Sequence, residues 1–273
     1  MNLDAYLDRI GIGQVPKPDL AGLTALHRAH LRAIPYENLD VQLGVAVSLD
    51  PEEIFHKLVT RRRGGWCYEM NGLLGWGLGE LGFEVTRATG AVMRAMRGPA
   101  SEGNHLVLKV ELEEGRFLAD VGFGDGSLDP IRVEVGHFNS NGFAFALSRV
   151  DETWWRLHNR PHGGAPSFDF NLAPADELRL QSQCHWLQTS PESLFVQNAV
   201  CQRHTDKGLA VMRGRVLRMI APDGMCDTLI ERASDYVDVL RDVFGMDLSE
   251  AQTLWPDICA RHDSLFATTR SPE

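Results

Sequence analysis

The chain has 273 residues, of which 44% are hydrophobic and 23% are charged, and its formal net charge at pH 7 is −10. This balance is that of an ordinary globular protein, so it excludes a disordered or collagen-like chain, and the length favours two or three sub-domains. The acidic excess argues against nucleic acid as a bulk partner, because phosphate binding requires a basic surface.

The N-terminal segment, "MNLDAYLDRIGIG", carries acids early and lacks the apolar run of a signal peptide. No later segment is apolar over the length that a bilayer requires. The five cysteines are odd in number and widely spaced, and no CxxC motif is present, which indicates neither a disulfide framework nor a zinc ribbon. We therefore expect a cytoplasmic protein with no membrane partner and no metal site.

The first eighty or so residues are predicted to form helices. In "LAGLTALHRAHLRAI" apolar residues recur every three to four positions, and Pro35 ends this pattern. A second helix is predicted to begin at Asp50-Pro51, with acids in its first turn, and to stop at Gly64-Gly65. The helical period resumes directly afterwards in "CYEMNGLLGWGLGELG".

From about Phe83 the pattern changes to short strands rich in β-branched and aromatic residues. The predicted strands are "FEVTRATGAVMRA", "HLVLKVEL", "RFLADVGFG", "IRVEV", "FAFALSRV" and "TWWRLHNR". A hairpin is expected in "VELEEGRFLADV", with its turn at Glu113-Glu114-Gly115. Successive antiparallel strands without helices between them indicate a barrel or a sandwich.

The last third of the chain mixes helices and strands. A helix with a Ser-Pro break is predicted in "DELRLQSQCHWLQTSPESLFVQN", followed by strands in "NAVCQRHT", "LAVMRGRVLRMIAP" and "CDTLIE". The tail is helical again, with Gly245 as a C-cap. Helices, then a β module, then a mixed α/β end indicate an α+β fold.

Cys67 lies at the start of a predicted helix, behind two glycines, in "RRRGGWCYEMNG". A thiolate in this position faces unpaired backbone N–H groups and the positive end of the helix dipole, which favour its charged form. Gly64-Gly65 allows a sharp turn and leaves room beside the sulfur. A buried structural cysteine after a helix break would give the same pattern, so both interpretations stay open.

A nucleophilic cysteine requires a base, and the base requires a group that orients it. His105 opens the apolar strand "HLVLKVEL", and Asp120 ends the strand in "FLADVGFG". If these strands pair as the hairpin predicts, a His–Asp hydrogen bond would fix the imidazole tautomer and leave its other nitrogen for Cys67. The alternative is a solvent-facing histidine and an aspartate in a turn. His27 and His30, on an amphipathic helix, are expected to be ordinary surface or core residues.

The arginine block before Cys67 has two interpretations. It could be a solvated cluster at the end of a helix, where positive charge suits the dipole. Alternatively, one arginine pairs with Glu69 or another buried carboxylate and holds the Cys67 loop. We favour the structural role for Arg63 and solvation for Arg61 and Arg62. Four further polar residues are expected to be scaffold hydrogen-bonders: Glu37, Asn38, Glu69 and Asn71.

Cys67, His105 and Asp120, within "RGGWCYEMNGLL", "NHLVLKV" and "ADVGFG", resemble the corresponding blocks of the arylamine N-acetyltransferases. The resemblance continues through "YLDRIG", "LHRAHLRAIPYENLDV", "LGELGFEV", "QTSPESLFVQN" and "VLRDVFGMDL". It implies an α+β protein with a cysteine-protease-like catalytic core. The implied parts are an N-terminal helical bundle (1–82), a central antiparallel β-barrel (83–175), and an interdomain helix with an α/β lid (176–273).

The resemblance also implies a reaction. Cys67 would accept the acetyl group, His105 would activate it, and Asp120 would orient the histidine. Acetyl-CoA would be the co-substrate, with no permanently bound cofactor, and the transfer would be ping-pong through a cysteine thioester. The acceptor would be an arylamine, an arylhydrazine or an arylhydroxylamine.

Further binding residues follow from the same resemblance. Tyr36 and Phe123 would line the acceptor pocket, although Tyr36 stands where the family usually has phenylalanine. Asn104 departs from the small polar residue common before the histidine. The implied coenzyme A contacts are Asn104, Gly124, Gly126, His204 and Thr205.

Three alternatives remain open on the sequence. An amide synthase of the same family would close a polyketide chain onto an aromatic amine and take its acyl group from a carrier protein. A cysteine acyl hydrolase would use the same three residues to transfer the acyl group to water. A binding module would keep them as structural residues only. The sequence leaves the oligomeric state open, a homodimer included.

Overall fold

The structure is a computed structural model that describes residues 1–161 and 163–266. Its helices are α1 (Leu3–Ile10), α2 (Leu20–Ala33), α3 (Leu39–Gln42), α4 (Pro51–Phe55), α5 (Cys67–Glu80), α6 (Arg94–Arg97), α7 (Glu177–Thr189), α8 (Leu194–Gln197), α9 (Ala233–Asp242) and α10 (Trp255–Phe266). Its strands are β1 (Tyr36–Glu37), β2 (Glu84–Val92), β3 (His105–Leu112), β4 (Gly115–Ala119), β5 (Ile131–Arg132), β6 (Gly136–Ser140), β7 (Phe143–Arg149), β8 (Trp154–His158), β9 (Ser167–Pro174), β10 (Val200–Thr205), β11 (Gly208–Arg213), β12 (Val216–Ala221) and β13 (Gly224–Leu229).

The N-terminal helices form where their capping residues predict. Helix α2 ends at Ala33, two residues before Pro35, and α4 begins after Asp50, whose carboxylate accepts hydrogen bonds from two N–H groups of the first turn. Helix α4 is shorter than predicted. It ends at Phe55, the chain continues as a π-helical turn over His56–Thr60, and this turn ends four residues before the glycine pair. Helices α1, α2 and α5 share one apolar core with the inner side of β3 and β4.

The central sheet has eight antiparallel strands in the order β5-β4-β3-β2-β9-β8-β7-β6. The predicted hairpin is confirmed: Leu112 pairs with Gly115, which leaves Glu113 and Glu114 as the turn. In the described strand order β5 and β6 are the two edges and do not pair. Ser140 at the end of β6 nevertheless donates to the Asp129 carboxylate just before β5, at 2.7 Å. The predicted barrel is therefore a curled sheet whose edges meet through side chains.

Strand β9 was not among the predicted strands, although it lies in the middle of this sheet, between β2 and β8. It places Phe168, Asp169 and Phe170 in full burial on both of its faces. A strand that is buried on both faces loses the polar–apolar alternation by which strands are found in a sequence. Strands β1 and β6 were also missed; β1 has only two residues, and β6 is mostly exposed.

A second, five-stranded antiparallel sheet has the order β1-β10-β11-β12-β13. Helix α9 packs on it through Tyr236 and Leu240, and its C-cap is Val243. Gly245, the predicted C-cap, lies two residues further, where it has a positive φ of +71° and its N–H donates to the Arg241 carbonyl at 3.0 Å. Because β1 belongs to the N-terminal part, this sheet ties the two ends of the chain together. The α+β class is confirmed, and within the described residues no helix has the length and apolarity to cross a membrane.

Candidate active site

Cys67 is the first residue of α5, and the loop before it is held on both sides. The Gly65 N–H donates to the Pro35 carbonyl at 3.2 Å, and the Gly65 carbonyl accepts from the Glu37 N–H at 2.9 Å. The Glu69 carboxylate accepts from the Trp66 N–H at 3.2 Å and so closes the helix start. Cys67 is only 3% exposed, but it lines a cavity of about 930 Å³. The helix start therefore presents its positive dipole end where the thiol meets this cavity.

His105 and Asp120 meet as the hairpin predicts. The imidazole Nε2 lies 2.8 Å from the Asp120 Oδ2, and both side chains are buried. The His105 ring also hydrogen-bonds the Cys67 thiol, and because Nε2 faces the carboxylate, Nδ1 is the nitrogen left for sulfur. The sulfur lies 3.9 Å from the backbone oxygen of Asn104. A thiol, an imidazole and a carboxylate thus form one chain of contacts that ends at the cavity.

The charges of His105 and Asp120 stabilise each other. Burial alone would lower the pKa of His105, but the Asp120 carboxylate and the hydrogen bonds to Asp120 and Cys67 raise it to about 10. Burial alone would raise the pKa of Asp120, but the His105 charge, with hydrogen bonds from His105, Asn71 and the Gly122 N–H, lowers it. The histidine is consequently an imidazolium at neutral pH, and it lies beside the Cys67 thiol.

Two residues that the sequence did not assign to the site hold Asp120 in place. The Asn71 amide donates to Asp120 Oδ1 at 2.8 Å and accepts from the Val121 N–H at 2.9 Å. His27 accepts from the Asp120 N–H at 3.1 Å through Nε2, and its Nδ1 lies 2.9 Å from the Leu128 carbonyl oxygen. Asn71 was predicted to be a scaffold residue, and its contacts agree. His27 comes from a helix 93 residues away, so no local pattern could reveal its contact.

Glycine is required at two contacts of the site. A Cβ at Gly122 would lie 2.6 Å from the Cys67 Cα and 2.7 Å from the Asn71 amide nitrogen. A Cβ at Gly90 would lie 2.9 Å from the His105 ring. Real Cβ atoms do not come this close to other heavy atoms, so each glycine lets the sheet approach a residue of the Cys–His–Asp group.

A buried network of five charged residues supports the Cys67 helix from behind. Arg63 Nη2 contacts Glu37 at 2.9 Å and Asp40 at 2.8 Å. Lys57 Nζ contacts Asp40 at 2.8 Å and Glu69 at 2.8 Å. Burial raises the pKa of Glu69 to about 7, although the Lys57 charge opposes the rise. The structural role predicted for Arg63 agrees with these contacts, but its partners are Glu37 and Asp40, while Glu69 pairs with Lys57.

The cavity next to Cys67 has a volume of about 930 Å³. Its wall near the thiol contains the two predicted aromatic residues, Tyr36 and Phe123. The Phe123 ring centroid lies 5.9 Å from that of His105 and 4.8 Å from that of Phe168, so it is fixed in an aromatic cluster. Tyr36 is buried, and this burial raises the pKa of its hydroxyl. The nearby Cys67 raises it further. An aromatic wall of this kind suits a flat apolar ligand.

Of the five residues predicted to contact coenzyme A, only Asn104 lines this cavity. Its side-chain amide is occupied by both backbone groups of Val92, at 2.7 and 3.3 Å. Gly124 lies against the Gln202 side chain, and Gly126 against the Phe123 ring.

The remaining two predicted contacts also lie away from the cavity. His204 is 2% exposed and has no hydrogen-bond partner for either ring nitrogen in the described structure. The Thr205 hydroxyl accepts from the Lys207 N–H in the turn after β10. Residues 1–161 and 163–266 contain no group of three or more His, Cys, Asp or Glu side chains that could hold a metal ion.

Comparisons with known proteins agree on one family. Residues 19–253 match the family model described as N-acetyltransferase. The chain is 38% identical over 257 residues to the arylamine N-acetyltransferase of Mycolicibacterium smegmatis, covering 92% of this chain and 94% of that protein. It is 30% identical over 279 residues to arylamine N-acetyltransferase 2 of Mesocricetus auratus, covering 92% and 96%.

Solved structures with the same fold carry the same name. The M. smegmatis arylamine N-acetyltransferase superposes with a TM-score of 0.86 at 37% identity, over 95% of this chain and 98% of that one. The Mycobacterium marinum enzyme, solved in complex with CoA, gives a TM-score of 0.84 at 33% identity, over 96% and 99%. The chain belongs to the arylamine N-acetyltransferase family and is an enzyme of the acyltransferase class.

Proposed function

We propose that this protein transfers an acetyl group from acetyl-CoA to an arylamine, an arylhydrazine or an arylhydroxylamine in a ping-pong reaction through a thioester on Cys67. One observation carries this proposal: the Cys67 thiol, at a helix start, contacts the imidazolium of His105, which Asp120 holds at 2.8 Å. The relative from M. marinum that was solved with CoA supports the choice of donor.

In the first half-reaction the Cys67 thiolate attacks the carbonyl carbon of the acetyl thioester. The carbon–sulfur bond to coenzyme A breaks, and the leaving thiolate takes the proton of the His105 imidazolium. Exchange of one thioester for another has almost no thermodynamic cost, so the barrier depends on how well the thiolate is positioned. The support behind α5 and the close contact of Gly122 with Cys67 serve this positioning.

In the second half-reaction the nitrogen of the acceptor attacks the acetyl carbon on Cys67. The thiolate no longer contributes to the pKa of His105 once the sulfur is acylated, and the neutral imidazole left by the first step can accept a proton from the attacking amine. Cys67 then leaves as the thiolate, and the resting imidazolium–thiolate pair is restored. Asp120 holds the ring in one orientation through both steps.

The acceptor is proposed to bind against Tyr36 and Phe123, which border the cavity next to the thiol. Stacking of an aryl ring on an aromatic side chain contributes roughly 0.5–1.5 kcal/mol beyond the buried area. The Tyr36 hydroxyl would favour acceptors that can hydrogen-bond near the ring.

Steady-state kinetics with acetyl-CoA and an aminosalicylate test the proposed function. A ping-pong enzyme gives parallel lines in double-reciprocal plots, and the N-acetylated amine accumulates as coenzyme A is released. Intersecting lines would contradict a thioester intermediate. Release of acetate at the same rate with and without the amine would identify a hydrolase. If acetyl-CoA does not acetylate the protein although Cys67 is reactive, a carrier-bound acyl donor would be favoured.

A further inference from the structure

A buried aspartate, Asp125, lines the cavity two residues after Phe123. The residue between them, Gly124, has a φ of +81°, and a Cβ there would lie 3.3 Å from the Tyr36 ring. This close approach brings the Asp125 segment against Tyr36, and the Asp125 charge contributes to the raised pKa of the Tyr36 hydroxyl. A carboxylate therefore lies beside the two aromatic residues of the proposed acceptor site. Burial of a charge is costly unless the charge is paired, so the partners of Asp125 matter.

The Asp125 carboxylate accepts hydrogen bonds from three groups. Its Oδ2 accepts from the Gly164 N–H at 2.6 Å and from Arg160 Nη2 at 3.4 Å, and its Oδ1 accepts from the Asn159 amide at 3.3 Å. Arg160 Nη1 also donates to the backbone carbonyl of Asp125. Burial raises the pKa of Asp125, and the Arg160 charge and these donors oppose the rise. Three donors suit the ionised form, because a carboxylate is an acceptor only.

Arg160 is the counter-ion of this carboxylate and lies behind the cavity wall. It is 5% exposed, and its guanidinium lies 4.8 Å from the centroid of the Phe143 ring. Within the described residues, Asp125 lines the cavity and Arg160 does not. A ligand in the cavity therefore meets the negative member of the pair first, and the positive charge is farther away.

The same pair anchors part of the chain between β8 and β9. Gly164 and Ala165 line the cavity, and the Asn159 amide donates to the Ala165 carbonyl at 2.9 Å as well as to Asp125. A substitution of Asp125 or Arg160 thus changes both the charge and the anchoring of this wall. A test has to separate these two effects.

We propose that the Asp125–Arg160 pair determines acceptor specificity: Asp125 disfavours arylamines that carry a carboxylate and favours those whose ring substituent donates a hydrogen bond. This inference rests on the proposed function. An acceptor with its amine at Cys67 and its ring against Tyr36 and Phe123 carries its substituents along the wall to which Asp125 belongs. A fixed carboxylate repels a second carboxylate there and accepts a hydrogen bond from an amide or a hydroxyl group.

The test compares two acceptors of nearly the same shape, 4-aminobenzoate and its neutral amide, 4-aminobenzamide, with acetyl-CoA as the donor. In a ping-pong reaction kcat/KM for the acceptor reports the second half-reaction alone, so effects on the donor do not enter. Asp125→Asn leaves the Arg160 charge uncompensated, and the benzoate-to-benzamide ratio of kcat/KM should rise about threefold to thirtyfold. This range corresponds to unit charges roughly 8 Å apart at effective dielectric constants from about 80 to about 20.

A double variant, Asp125→Asn with Arg160→Gln, separates charge from anchoring. It restores the charge balance, so its ratio should return to that of wild type, whereas a loosened wall would stay loosened. Asp125→Ser makes the same charge change with a smaller side chain, and it replaces Asp125→Asn if that variant does not fold.

Asp129→Asn is the matched control, because Asp129 pairs with Arg28 at 2.5 Å in the same segment but does not line the cavity in the described structure. Its acceptor ratio should equal that of wild type. If wild type acetylates both amines but the ratio of Asp125→Asn does not rise, or the rise persists in the double variant, the proposed specificity is overturned. If wild type acetylates neither amine, the proposed function itself is overturned, and the role of Asp125 with it.

Discussion

The charged network behind the Cys67 helix makes a quantitative prediction about Lys57. Its Nζ contacts two buried carboxylates, those of Asp40 and Glu69, both at 2.8 Å. At an effective dielectric constant of 20, each contact is worth about 6 kcal/mol before desolvation is counted. Lys57→Met removes both attractions, but it also removes the desolvation cost of the ammonium group, which is several kcal/mol.

Protonation of Glu69 further reduces the free energy of unfolding that Lys57→Met loses. Its pKa is already raised to about 7 with Lys57 present, so without the lysine it will take up a proton at neutral pH. Asp40 keeps its contact with Arg63. We therefore expect Lys57→Met to lower the free energy of unfolding by about 3–5 kcal/mol, the range for breaking a buried ion pair. Urea unfolding at pH 7.5, followed by far-UV circular dichroism, measures this loss.

Lys109→Met is the control for this measurement. The Lys109 and Glu111 side chains form a 3.1 Å pair on β3, but they are 18% and 31% exposed, and such a pair contributes about 0–1 kcal/mol. Adding Glu69→Gln to Lys57→Met should restore part of the loss, because the amide oxygen can still accept from the Trp66 N–H. A loss from Lys57→Met no larger than the control would refute the buried network.

Three further predictions concern the site itself. Asp120→Asn should lower kcat/KM about a thousandfold or more, because an amide donating toward the His105 ring favours the wrong tautomer; a loss below tenfold would refute the orienting role. Gly122→Ala should lower kcat at least tenfold, because its Cβ would come within 2.6 Å of the cysteine backbone, whereas Gly136→Ala, with open space around it, should not. The free energy of unfolding of wild type, measured relative to Glu69→Gln, should fall as the pH rises from about 4.5 to about 7, because Glu69 keeps a proton in the folded state that it releases in the unfolded state. If the difference between the two urea midpoints does not change with pH, the raised pKa is contradicted.

The part of the site that could be predicted from the sequence is the part formed by segments that are close together in the chain. His105 begins β3 and Asp120 directly follows β4, and a hairpin with a two-residue turn fixes the register between these consecutive strands. Cys67 begins a helix that the preceding Gly64-Gly65 pair indicates in the sequence. Each of these placements depends on residues that are near each other in the chain, so periodicity and turn residues predicted that the groups could meet. The resemblance to the family then favoured the catalytic interpretation over the structural one.

The parts that could not be predicted depend on contacts between distant segments. Arg63 pairs with Glu37 and Asp40, and nothing in the sequence distinguishes these two carboxylates from Glu69, which is closer to Arg63 in the chain. His27 supports the site from another helix, and the wall formed by α10 comes from the opposite end of the chain. Contacts of this kind depend on how the helices and sheets pack against each other in the folded protein.

The central claim, that Cys67 carries the acetyl group, is tested most directly by intact-protein mass after mixing with acetyl-CoA alone. Wild type and Cys226→Ala, which lacks an exposed cysteine, should each gain one acetyl group, and Cys67→Ala should gain none. Addition of an arylamine should then remove the acetyl group and release the N-acetylated amine. An acetyl group that Cys67→Ala still acquires, or that no amine removes, would contradict the account.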